Sequence, residues 1–206
     1  HAILGENGAG KSTLIKVLGG IYHPEEGEIL IDGQKVSITD VNSARSNGIS
    51  IIHQELVLVP RMTIAENIFL GREPGKGIRI DRRQMSVAAQ EMLDDFGLRL
   101  NADTLLGNLS IAQQQMVEIA KAISFHSRIL VMDEPTSSIT EKEVAYLFKT
   151  MRDLAAHGVG IIYISHKMSE LDEVCDRVSV LRDGAYVGTR DVAGTPKDEL
   201  ISMMVG

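Results

Sequence analysis

Residues 5 to 12 read Gly-Glu-Asn-Gly-Ala-Gly-Lys-Ser, directly after the short run His1-Ala2-Ile3-Leu4 and directly before a helical stretch, Lys11 to Leu18, that Gly19-Gly20 ends. The spacing Gly5-x4-Gly10-Lys11-Ser12, between a strand and a helix, is the pattern of a phosphate-cradling loop. Glycines let the backbone curl so that successive N–H groups, here those of Gly8 to Thr13, point inward. The following helix adds its positive N-terminal end. Lys11 is then placed to reach the β- and γ-phosphates of a nucleotide, and the Ser12 hydroxyl to meet a Mg²⁺ ion. The expected cradle is Gly5, Glu6, Asn7, Gly8, Ala9, Gly10, Lys11, Ser12 and Thr13. A glycine-rich turn that binds nothing is the competing reading, and Lys11 and Ser12 in this context speak against it. So short a strand opening a chain also leads us to expect a fragment whose upstream strands are missing.

The rest of the chain alternates. Glu28–Asp32 and Val36–Ile38 read as strands about the Asp32-Gly33 turn, Asp40–Asn47 as a short helix and Ile49–Ile52 as a buried strand. From residue 63 to about 126 the pattern turns helical. Thr63-Ile64-Ala65-Glu66 resembles a capping box opening a helix through Leu70. Arg72–Ile80 reads as a loop. Asp81–Phe96 and Ser110–Phe125 carry apolar residues at helical spacing. Strand and helix then alternate again: Ile129–Met132, Glu141–His157, Val159–Ile164, Lys167–Val174, a hairpin about Asp183-Gly184, and a last helix starting near Pro196. Apolar strands separated by helices predict a mainly parallel sheet covered on both faces. We therefore expect one α/β domain, with residues 1–62 and 127–206 as its core and 63–126 as an inserted helical subdomain.

A second site follows from strand Ile129–Met132, which ends in Asp133-Glu134. Ligands of open α/β sheets bind beyond the carboxyl ends of strands. Asp133 suits a metal held through water, and Glu134 suits orienting or deprotonating an attacking water. Alternatively, the two acids cap the turn Pro135-Thr136-Ser137-Ser138.

Composition excludes other classes. The net charge is −7, and both halves of the chain are net acidic, which argues against a nucleic-acid partner. Cys175 is the only cysteine, so no disulfide framework exists, and without a cationic cluster it reads as core. The nine methionines fall mostly at helical apolar spacing, as packing residues. The longest apolar runs fall well short of the roughly 18–20 residues of a membrane span.

Leu109-Ser110-Ile111-Ala112-Gln113-Gln114-Gln115, upstream of Asp133, resembles the signature motif of ATP-binding cassette (ABC) ATPases. Gln54, after the strand ending near His53, looks like the family's Q-loop glutamine. His166, after Ile161-Ile162-Tyr163-Ile164-Ser165, looks like its switch histidine. The stretches HAILGENGAGKSTLIKVLGGIY, IIHQEL, TIAENIFLGREP, QQQMVEIAKAI and YISHKMSEL resemble bacterial monosaccharide-importer ATPases of the ribose, galactose and xylose type. The resemblance covers essentially the whole chain.

It implies an α/β P-loop NTPase fold with a mainly parallel sheet, and ATP hydrolysis with Mg²⁺ near Ser12, Gln54 and Asp133. Glu134, His166, Gln54 and Lys11 would then be catalytic. Ser110, Ala112 and Gln113 would receive the γ-phosphate of a second cassette, fused or dimeric. Membrane permease subunits and, indirectly, a periplasmic sugar-binding protein would be partners, placing the chain peripherally at the cytoplasmic face of the bacterial inner membrane. The segment Thr63–Leu70 is where the permease would press. A regulatory cassette that binds ATP but hardly hydrolyses it is the alternative. Two departures stand out. Ala112 occupies a place where the sugar branch usually keeps glycine, so its methyl is expected to crowd a γ-phosphate and weaken that site. Ser138-Ile139-Thr140-Glu141 replaces the common Ser-Ala-Leu-Asp and lacks the aspartate tied to crosstalk between paired sites. His53 carries no role in this reading.

Overall fold

The structure is a computed structural model that describes residues 1–54, 57–76, 79–137 and 139–206, with Lys76 described by its backbone alone. Glu55 and Leu56 beside Gln54, Gly77 and Ile78 of the expected 72–80 loop, and Ser138 of the turn after Glu134 lie outside the described residues. In chain order the elements are β1 (Ala2–Leu4), α1 (Lys11–Leu18), β2 (Ile29–Ile31), β3 (Gln34–Val36), α2 (Val41–Ser46), β4 (Ile49–Ile52), α3 (Ile64–Phe69), β5 (Gly75–Lys76), β6 (Arg79–Ile80), α4 (Arg82–Asp95) and α5 (Ile111–Ile123). They continue as β7 (Ile129–Asp133), α6 (Glu141–Ala156), β8 (Gly160–Ile164), α7 (Met168–Val174), β9 (Arg177–Arg182), β10 (Ala185–Asp191) and α8 (Lys197–Val205).

A six-stranded sheet runs in the order β10-β9-β1-β8-β7-β4. Every pairing in it is parallel except the β9–β10 hairpin at one edge. Side chains alternate across it, as the pleat demands. Ile3, Val131 and Ile164 face one side, packing with Ile15 of α1 and Ala44 of α2. Leu130, Met132 and Tyr163 face the other, packing with Ile64, Ile68 and Leu93 of α3 and α4, Val117 and Ile119 of α5, and Leu147 and Phe148 of α6. The helices between residues 63 and 126 thus share an apolar cluster with the sheet. A third cluster joins Ala2 and Leu4 to Leu171, Val178 and Leu200. Cys175 packs against two of these clusters, and burial pushes its thiol up to about 11, which leaves it a poor nucleophile at neutral pH.

Local chemistry sets several element ends. Thr63 and Ser110 each form a capping box with the residue three positions on, Glu66 and Gln113. Two hairpins turn on a left-handed pair, Asp32-Gly33 and Asp183-Gly184, with φ of 51° and 75° and of 52° and 79°. Positive φ at both central residues is the two-residue hairpin geometry, and it fixes register at once. Gln34 consequently pairs with Ile31, so β3 covers 34–36 and not the expected 36–38. The stretch 72–80, expected as a loop, contains the paired strands β5 and β6. Gly75 permits this, because a Cβ there would lie 2.0 Å from the Arg79 carbonyl oxygen. Among the described residues no helix is long and apolar enough to cross a membrane.

Candidate active site

Four parallel strands end on a common front. Ile3 of β1 and Asp133 of β7 both lie level with Ile164 of β8, while Ile52 of β4 is level with Met132. The residues that follow these strand ends, Gly5, Glu134, His166 and His53-Gln54, are therefore delivered to one edge of the sheet. Adjacent strands are roughly 4.8 Å apart, so the β1 and β7 termini stand about 10 Å from each other with β8 between them.

The loop after β1 is tightly wound. Gly8 and Gly10 have φ of 88° and 97°, and Gly10 is the left-handed cap of α1. Gly5 is required by space, since a Cβ would sit 2.5 Å from the Leu181 carbonyl oxygen and 2.8 Å from the Ala9 methyl. The Ala9 N–H donates to the Glu6 carbonyl at 3.1 Å. Lys11 folds back over the loop, its Nζ donating to the carbonyls of Gly5 at 2.7 Å and Glu6 at 3.0 Å. An ammonium has three donors, so this holds the cation at the loop and leaves one donor for an anion. Glu6, Asn7, Gly8, Ser12 and Thr13 are exposed around it.

Asp133, the last residue of β7, and Glu134 just after it are partly covered. Burial raises the Asp133 carboxyl above its ordinary value, the adjacent Glu134 charge raises it further, and the fields of His53 and Lys11 pull the other way. Glu134 takes a left-handed backbone, φ 47°, pinned by its N–H donating to the Ile164 carbonyl at 2.9 Å. A residue without a β-carbon exemption in this region bears strain, and such strain concentrates at functional sites. His166 Nδ1 lies 3.0 Å from Glu134 Oε1. A carboxylate only accepts, so in this bond His166 Nδ1 is the donor. Gln54 is exposed at its bend beside this edge.

Ser110, Ala112 and Gln113 are not part of this cluster. They line a separate groove of about 820 Å³ with Leu100, Thr140 and Glu143. Ser110 Oγ accepts from the Gln113 N–H at 3.3 Å and donates to Glu143 Oε1 at 3.4 Å. Ala112 is only 8% exposed. Among the described residues, no hydrogen bond or ion pair joins these three to the loop 5–13, Asp133, Glu134 or His166.

Two features escape a reading of the sequence. His53, assigned no role, stands within the electrostatic reach of Asp133. Its position follows from register alone, one residue past the Ile52–Met132 pair. Glu170 gathers three hydroxyls from two segments, Thr136 after β7 and Tyr163 and Ser165 at the end of β8, and although it lies in the stretch YISHKMSEL no role was read for it there.

The profile of the ABC transporter family matches residues 1–137. This chain belongs to that family. Among relatives of this ABC transporter chain, a provisionally named ribose/galactose/methyl galactoside import ATP-binding protein of Halalkalibacterium halodurans is 55% identical over the whole chain, and the chain covers 40% of its length. A ribose import ATP-binding protein of Chromobacterium violaceum is 50% identical, with the whole chain covering 41% of it. The chain thus spans about two fifths of the curated relatives it matches. In fold, it superposes at a TM-score of 0.83 on the ADP conformation of an ATP-binding cassette of an ABC transporter, 24% identical, covering 100% of this chain and 87% of that one. It also resembles a dimeric, post-hydrolysis ATP-binding cassette bound to ADP and Pi, with TM-score 0.73, 25% identity, and 94% and 85% covered. The architecture is accordingly the α/β P-loop fold of ABC cassettes, with its mostly parallel sheet.

Proposed function

We propose that this ABC chain is the ATP-binding and hydrolysing part of a subunit that energises import of a monosaccharide across the bacterial inner membrane. The observation that carries the reading is the common front of β1, β4, β7 and β8, on which Lys11, Asp133 and the bonded pair Glu134–His166 converge. The names of the relatives support the sugar class.

The chain's residues divide the work. The loop 5–13 holds the triphosphate with main-chain N–H groups, and Lys11 turns its remaining donor to the β- and γ-phosphates. Glu134 accepts hydrogen bonds from the attacking water and takes its proton as the water oxygen bonds to the γ-phosphorus and the bond to the ADP oxygen breaks. His166, oriented through Nδ1, presents Nε2 to the γ-phosphate and so registers its presence. The donor set fits Mg²⁺. Ser12 and Asp133 are hard oxygen ligands, Gln54 adds an amide oxygen, and a half-buried carboxyl beside a second acid favours a cation. Bound there, the ion neutralises phosphate charge.

The separate groove at Ser110 suits a second cassette, fused or dimeric. Its helix-capping serine and positive helix end would receive that cassette's γ-phosphate. In this reading residues 1–62 and 127–206 are the catalytic core, and 63–126 is the subdomain that meets the permease subunits, which a periplasmic sugar-binding protein loads. The chain then works peripherally at the cytoplasmic face. The test is phosphate release from the full-length protein bound to its permease, with and without Glu134→Gln. Loss of release in the variant supports hydrolysis at Glu134. Equal inactivity of both proteins favours the regulatory reading, against which the Glu134–His166 pair speaks.

A further inference from the structure

Glu170 is 6% exposed and forms the centre of a closed polar network. Its Oε2 accepts from the Tyr163 hydroxyl at 2.6 Å and from Ser165 Oγ at 2.7 Å. Its Oε1 accepts from Thr136 Oγ1 at 2.7 Å, and the Lys167 ammonium lies 3.3 Å away. These lengths are those of O–H···O⁻ bonds, about twice as strong as neutral ones. The donors come from the two strand ends that carry the site. Thr136 is two residues past Glu134, Ser165 immediately precedes His166, and Tyr163 is the penultimate residue of β8. Ser165 is held twice, since its Oγ also accepts from the Lys167 N–H at 3.0 Å. Lys167 Nζ in turn donates to the Thr136 carbonyl at 3.3 Å.

From this geometry we infer that Glu170 is a positioning residue: it clamps the turn that follows Glu134 to the loop that carries His166, so that the two side chains stay in register. The inference rests on the proposed roles of Glu134 and His166. Glu170 itself lies behind them, buried, and touches neither. Only an acceptor with two oxygens can collect three hydroxyls at once without competing for their protons. Glutamine keeps the shape but replaces one accepting oxygen with a donor, which must reverse one of these bonds.

The test uses the full-length protein with its permease. Glu170→Gln is expected to lower kcat for ATP between about tenfold and a hundredfold, the cost of a small misplacement of reacting groups, while KM for ATP stays within about twofold. In a double-mutant cycle under single-turnover conditions, adding Glu170→Gln to His166→Ala is expected to cost nothing further, because the clamp acts through the histidine. Should His166→Ala leave no measurable rate, the ring-nitrogen chemical shifts of ¹⁵N-labelled His166 decide: Glu170→Gln must alter the Nδ1 signal of the bond to Glu134. Should Glu170→Gln fail to fold, Ser165→Ala, which removes a single hydroxyl, stands in for it in every measurement. A folded variant with wild-type kcat, losses that multiply in the double variant, or an unchanged Nδ1 signal overturns the inference. If instead Glu134→Gln hydrolyses ATP as fast as wild type, the underlying reading fails, which is a separate result.

Discussion

His166 Nδ1 and Glu134 Oε1 are 3.0 Å apart, yet the histidine side chain is 61% exposed and the glutamate only 21%. The acid is seated against the sheet, and the imidazole reaches over it from the neighbouring strand end. Removing the imidazole frees the carboxylate to turn. His166→Ala in the full-length protein with its permease is expected to retain ATP binding and to lose about 10²-fold or more of its hydrolysis, the usual worth of a positioned acid–base partner. Equilibrium nucleotide binding and phosphate release measure the two separately, and hydrolysis at the wild-type rate would break the assignment.

Gly5 is fixed by crowding and not by its backbone angle. Gly5→Ala drives a methyl into the Leu181 carbonyl oxygen and the Ala9 methyl, at 2.5 and 2.8 Å. Overpacking of this kind costs about 1–3 kcal/mol. The melting temperature should fall and ATP affinity with it. Gly8→Ala has open space around its Cβ and only a φ of 88° to oppose it, so it should melt above Gly5→Ala. The reverse order would show that space is not what reserves position 5.

Glu170 links acidity to stability. Burial opposes its charge, but the Tyr163, Ser165 and Thr136 hydroxyls and the Lys167 ammonium together hold the carboxyl below its ordinary value of 4.5. The folded state therefore prefers the ionised form more than the unfolded state does. The stabilisation is complete above about 4.5 and disappears as pH falls through the lower, folded value. The gap in melting temperature between wild type and Glu170→Gln should be constant at neutral pH and close on acidification below that point. A gap that widens in acid contradicts the sign.

Asp133 runs the other way. Burial and the neighbouring Glu134 charge raise its carboxyl, so its ionised form is costly when no cation is bound. Asp133→Asn should raise the melting temperature of the nucleotide-free protein at pH 7 while abolishing hydrolysis, a trade between stability and activity. A lower melting temperature in the variant would refute this.

Ala112 is the departure within the signature stretch. Ala112→Gly should increase ATP hydrolysis by the assembled transporter, although glycine in the first turn of α5 costs up to about 1 kcal/mol of helix stability. An unchanged rate with a lowered melting temperature would mean that the methyl is only a packing group.

Much of this arrangement could be read from the residues alone. The loop at 5–12, the acids ending β7 and the histidine after β8 announce themselves because their chemistry needs fixed spacings next to apolar strands. The helix start at Thr63 was legible from its capping box. The β5–β6 pairing was not, since two-residue strands have no period to detect. Nor was Glu170, whose partners Thr136 and Tyr163 come from distant stretches and meet only after the sheet forms. The position of His53 near Asp133 likewise exists only once β4 and β7 are in register.

That register makes segment length a form of chemical information. An insertion or deletion of one residue within β4, β7 or β8 would turn the side chains beyond it onto the opposite face. It would also carry the terminal acid, amide or imidazole about 3.3 Å off the shared line. A change of length in the exposed connection 22–28, by contrast, falls outside the strands whose ends build the site.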